Sequence, residues 1–250
     1  MSFTKIHPTI HSLKLNPRKI TQRLFLIIFL LLTANTINVI LQHTRPLENW
    51  ILDSIDKFFN VNNEANIPTF YSAFLLLFAA LVAYVTFHQA KVSSSIKQAR
   101  PWQVLAGLFV FVALDEIVQI HEFTSNFIRP WLKSDLSGLL YWSWVIPYFL
   151  LFLGVAAYLF RFVLNLPAYT RNIIILSGFI YVSGAIGLEL LEGHFYKLYS
   201  LNHKYNELLY CLEEGMEMIG VTTFIYALLD HLNFLGFRIT VTTEDYSSKI

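Results

Sequence analysis

Eight carboxylic acids sit in stretches that are otherwise built for an apolar environment. They are Asp115, Glu116 and Glu122 in LDEIVQIHE (Leu114 to Glu122), Glu189 and Glu192 in GLELLEGHF, and Glu213, Glu214 and Glu217 in EEGMEMIG. His121 and His194 accompany them, and no Lys or Arg falls inside these three clusters. A charged side chain at the centre of a membrane helix costs about 2.5 to 3.5 kcal/mol on insertion scales, so the acids need compensation. Four compensations are open: protonation, a water-filled vestibule, hydrogen bonds to histidine, or bound cations. Carboxylates with one or two imidazoles form a hard to borderline ligand set, suited to a divalent zinc, iron, manganese or calcium ion. Asp115, His121, Glu122, Glu189, Glu192, Glu213 and Glu217 are the candidate metal ligands. Glu116 and Glu214 are candidate general bases for a metal-activated water. The di-iron pattern with Glu-x-x-His is absent, because the histidines follow Glu116 by five residues and Glu192 by two.

The elements that must carry these residues are membrane helices. The 250 residues are 55% hydrophobic and 14% charged, which places the chain outside the soluble globular class. Runs of about 20 apolar residues match the hydrocarbon thickness of a bilayer. Six such runs are expected to be transmembrane helices: Leu24 to Leu41, Phe70 to His88, Trp102 to His121, Leu139 to Phe160, Ile173 to Leu191 and Leu208 to Leu229. The fold class is therefore all-α, a polytopic integral membrane protein. A basic segment (1–23) precedes the six-helix domain (24–232), and a polar, mobile tail (233–250) follows it. In the first connection, Leu47, Trp50, Ile51, Ile55, Phe58 and Phe59 recur at helical spacing, which predicts a short amphipathic helix on the outer surface.

Of the 18 Lys and Arg residues, twelve fall on the side of the termini and of the second and fourth loops. The positive-inside rule then puts both termini in the cytoplasm. Parity gathers the acids at the opposite face, because the third and fifth helices carry them at their C-terminal ends and the sixth in its N-terminal half. Asn35, Asn38, His43, Tyr71, Ser72, Tyr141, Trp142 and Trp144 fall at the same end, so an outward-facing pocket is expected. On an unbroken helix Asp115, Gln119 and Glu122 share a face, with Glu116 and His121 flanking it on opposite sides. Ser183 and Gly187 form a small-xxx-small pair expected to admit a neighbouring helix closely.

Blander readings apply to several residues. Cys211, Met216 and Met218 suit core packing, and Asp230 and His231 suit an interface. Glu122, Glu192 and His194 at the membrane surface, with neutral hydrogen-bonded acids below them, would also satisfy the pattern. The net charge of +1 and the lack of a basic, aromatic-interleaved patch give no case for nucleic acid. A single cysteine excludes an intrachain disulfide.

IPTFYS (Ile67 to Ser72), LDEIVQIHE, WVIP (Trp144 to Pro147), GAIGLE (Gly184 to Glu189) and EEGMEMIG together resemble a group of bacterial multi-pass membrane proteins to which no activity is attached. The resemblance implies a shared six-helix design in the bacterial inner membrane. DEIVQ is also similar to the acidic third-helix motif of membrane hydrolases of the alkaline ceramidase kind, from which this chain departs in lacking a late His-x-x-x-His pair and a seventh helix. Three functions fit the residues. The first is a metal-dependent enzyme acting on a lipid or other apolar small molecule; the others are a cation- or proton-coupled transporter and a non-catalytic membrane subunit.

Overall fold

The computed structural model describes residues 9–44, 50–132, 138–199 and 204–243. It is helical almost throughout: α1 (Pro17–Thr44), α2 (Trp50–Phe59), α3 (Ile67–Ser93), α4 (Ile96–Val118), α5 (Ile120–Ile128), α6 (Val145–Leu164), α7 (Ala168–Val182), α8 (Glu189–Tyr199) and α9 (Lys204–Phe234). Two short strands, β1 (Thr9–Leu13) and β2 (Ile239–Thr243), pair antiparallel and tie the two ends of the chain together. Among the described residues, five helices are long and apolar enough to cross a membrane: α1, α3, α4, α6 and the rod Ala168–Tyr199. That rod joins α7 to α8 through a π-helical stretch, Ser183–Leu188. The sixth apolar run lies within α9, a helix of sufficient length that carries too many polar groups to count with the others.

Local signals explain where the helices begin. Asn16 caps α1 by accepting a hydrogen bond from the Lys19 amide at 3.1 Å, with Pro17 in the first helical position. Arg18, Lys19 and Arg23 therefore belong to α1, ahead of its apolar run. Asn66 caps α3, accepting from the Thr69 amide at 3.0 Å, and Pro68 follows within the first turn. Leu139 and Leu140, expected inside the fourth helix, form a 3-10 turn before α6, which starts only at Val145.

α9 is the helix around which the others pack. It lies against α1, α3, α7, α8 and the π stretch, while α3 and α4 pair along their length. Met218, Ile225, Leu228 and Leu232 of α9 are buried with Leu75, Leu76 and Ala79 of α3 and Ala99 and Trp102 of α4. α6 stands at the periphery, and of its residues only Val145 and Leu159 are buried. The apolar core thus fills the end of the bundle nearer the termini, and the acids occupy the other end.

Close approach of α7 to α9 relies on glycines other than the pair expected. A Cβ on Gly220 would meet Tyr181 backbone and side-chain atoms at 2.8 Å, and one on Gly184 would meet the Glu213 carbonyl at 3.0 Å. Gly187 has only the Ser183 Cβ nearby, at 4.0 Å. Overpacking of this kind costs about 1–3 kcal/mol. Gly220→Ala is therefore expected to lower the unfolding midpoint of the detergent-solubilised protein, although Ala favours a helix. Gly107→Ala, with nothing within 4 Å of its Cβ, should leave the midpoint unchanged or raise it; a thermal melt of both variants makes the comparison.

Candidate metal centre

The third apolar run is not one helix. Gln119 adopts a left-handed conformation (φ 58°, ψ 44°) that ends α4 and starts α5 in a new direction. A non-glycine residue there is uncommon, and Asp115 holds the break in place. Its carboxylate accepts from the His121 amide at 2.8 Å and from the Tyr148 hydroxyl at 2.9 Å, and stands 3.3 Å from His121 Nδ1. Asp115 thus caps α5 from the preceding helix and fixes the imidazole. The expected common face of Asp115, Gln119 and Glu122 is lost at this break, and Asp115 is turned toward His121 instead.

His121 lies in α5, beyond the Ile96–Val118 span. Burial works to lower its pKa; the Asp115 hydrogen bond and the charges of Asp115, Glu189 and Glu64 outweigh that, and the pKa is raised. One His121 ring nitrogen and one carboxylate oxygen each from Glu64 and Glu122 lie within 4.8 Å of one another. Three ligands each about 2.0–2.2 Å from one ion stand about 3.3–3.8 Å apart, so side-chain shifts of about 1 Å would close a coordination shell.

Glu64 was not among the residues singled out from sequence, because it lies in the connection between α2 and α3. Three asparagines fix that connection. Asn35 of α1 accepts from the Val61 amide at 3.1 Å, Asn38 donates to Asp56 at 2.7 Å, and Asn66 donates to the Asn60 and Asn63 carbonyls. Asn35 and Asn38, expected to point into the pocket, therefore hold its rim. Glu64 keeps contact with solvent, yet partial burial raises its carboxyl pKa, while a hydrogen bond with Gln119 works to lower it. The sequence signal available was parity, since the loop shares an end with the other acids.

A second group consists of Glu189, Glu192 and Glu213, whose oxygens also approach within 4.8 Å. Side-chain hydrogen bonds link Glu213 to both partners. Carboxyl groups at that range need a shared proton or a cation between them. The π stretch immediately precedes Glu189, and such insertions shift the phase of the residues that follow them. Trp144 connects the two groups: its indole N–H donates to Glu189 at 3.0 Å, and its ring lies 5.0 Å from that of His121.

The remaining acids lie deeper. Glu116 is hydrogen-bonded with Ser72 of α3 and neighbours Glu64 and His121. Glu217 is hydrogen-bonded with Tyr181 and neighbours Glu116 and Glu189, while Glu214 neighbours Glu116 and Glu217. Glu214 and Glu217 lie within the bundle and are half-buried. His194 is exposed beside Gly138, and His43 Nδ1 lies 2.9 Å from the Val39 carbonyl; neither joins the two groups.

Apolar helices of membrane-crossing length around acidic and histidine groups that could hold a metal ion define the class: a helical, multi-pass protein with a candidate metal centre. Residues 23–232 match the family described as Domain of unknown function (DUF8692), and the chain belongs to that family. No curated protein and no solved structure matches it.

Asp115→Ala should destabilise the protein by about 1–2 kcal/mol through loss of the cap and the Tyr148 bond. Asp115→Asn retains an acceptor for the His121 amide, so its melting temperature should fall less. Both variants are expected to weaken metal binding about 10–100-fold, the usual effect of losing the group that orients a histidine ligand. Parallel melts and metal titrations separate the two consequences.

Proposed function

We propose that the protein is a six-span membrane protein of the bacterial inner membrane whose carboxylate and histidine pocket opens outward and binds a divalent metal. The observation that carries this reading is the meeting of Glu64, His121 and Glu122 beside Glu189, Glu192 and Glu213. α9 supplies the sixth span: its 31 residues extend about 46 Å at 1.5 Å per residue, and α1, α3 and α7 shield its polar groups from lipid. α2, with Trp50 and Phe58 exposed, lies along the outer surface.

The reading extends to metal-dependent chemistry on a lipid or other apolar substrate. A divalent ion in the pocket would polarise the reacting group or lower the pKa of a bound water. Glu116 is the better placed general base, because it neighbours both His121 and Glu64; the neighbours of Glu214 are other carboxyls, Glu116 and Glu217 foremost. A proton- or cation-coupled transporter is the second reading. It draws on the polar pairs between α7 and α9, Tyr181 with Glu217 and Tyr169 with Tyr226 at 2.9 Å. Ion flux in proteoliposomes that vanishes on Glu217→Gln would favour it.

Elemental analysis of protein purified without chelator is expected to find a stoichiometric divalent metal in the wild type and a loss in His121→Ala. A metal-free wild type that also fails to take up added zinc, iron or manganese would sink the metal reading. The orientation has its own test in a Cys211→Ser background. Asn62→Cys should react with an impermeant maleimide in intact cells, whereas Ser95→Cys should react only after the membrane is opened. The reverse pattern would invert the topology.

A further inference from the structure

We infer that the pocket holds two separate cation sites of different chemistry: a mixed imidazole and carboxylate site at Glu64, His121 and Glu122, and a buried all-carboxylate site at Glu189, Glu192 and Glu213. This rests on the metal reading above and divides it.

The buried site has support beyond its cluster of acids. Glu192 is only 3% exposed, and its Oε1 has no hydrogen-bond partner. A buried acceptor left unsatisfied costs about 1–3 kcal/mol, more when charged, and a cation supplies the missing partner. Packing holds the α8 backbone beside Glu192 close to the 138–141 turn, because a Cβ on the adjacent Gly193 would stand 2.9 Å from the Gly138 carbonyl and 3.0 Å from Tyr141.

Donor chemistry separates the sites. Three carboxylates form a hard oxygen set that suits magnesium, manganese or calcium, whereas an imidazole with two carboxylates also suits zinc or ferrous iron. Trp144 stands between them, with its N–H on Glu189 and its ring against His121. It contributes no metal ligand of its own and touches a member of each group. Charge points the same way. Glu64 adds a ninth carboxyl to the eight clustered acids, and one divalent ion offsets two.

Manganese is the probe, since it suits both donor sets. The full-length protein in detergent is stripped with chelator, dialysed and titrated with Mn²⁺, and bound metal per chain is measured. The wild type is expected to bind two ions. Glu192→Gln should weaken one of them by more than the roughly 10–100-fold that loss of a ligand's outer-shell partner causes, and leave the His121-dependent ion in place, which also reports that the variant is folded. His121→Ala should lose the other and keep the Glu192-dependent ion. A wild type that binds one ion, lost on either substitution, overturns the division while upholding the metal reading. Two ions in Glu192→Gln with unchanged affinity also overturns it. No ion in the wild type ends both readings. Should Glu192→Gln lose both ions, Glu213→Asp, which retains a carboxylate, decides: loss of both again means a single shared centre and overturns the inference, and loss of one supports it.

Discussion

Carboxylates gathered without a cationic side chain are the constraint on which the rest of this structure depends. In a protein interior, like charges repel strongly and an isolated carboxylate is poorly solvated. The chain meets this with polar partners from several helices: Ser72 from α3, Tyr148 and Trp144 from the α6 region, and Tyr181 from α7. Each partner anchors one acid in one direction. The anchored acids are thereby held within the bundle, whereas Glu64 and Glu122 are exposed.

Placing them there requires a polar helix in the middle of an apolar bundle. α9 carries Glu213, Glu214 and Glu217 and is enclosed by α1, α3 and α7. Gly220 and Gly184 let α7 come near enough for Tyr181 to reach Glu217. Apolar packing at one end of α9 and polar contacts at the other have distinct tasks: the first holds the bundle, and the second orients the chemistry.

Much of the architecture was readable from residue type alone. The apolar runs lie where long helices form, and the alternation of helix direction put the acidic clusters at one end. The parts that were not readable depend on distant contacts or on rare backbone geometry. Gln119 in a left-handed conformation carries no glycine or asparagine signal, so an unbroken helix was the natural expectation, and the Asp115 to His121 contact was hidden with it. Glu64 is placed by Asn35 and Asn38, residues that precede it by more than twenty positions and looked like pocket lining. The pairing of β1 with β2 joins two segments at opposite ends of the chain, where the polar tail by itself indicated no partner.

The central position of α9 also bears on how the protein is made. It follows α1, α3 and α7 in the chain, yet all three pack against it. Chains emerge at about 5–20 residues per second and fold from the N-terminus onward, so the earlier helices enter the bilayer before their shared neighbour exists. Asn35 and Asn38 can dock the first loop during that interval, and the apolar faces meant for α9 must wait in lipid or against one another. Maturation of the pocket thus waits for the synthesis of α9. A chain truncated before residue 204 would hold most of the lipid-facing surface and none of the acids of α9.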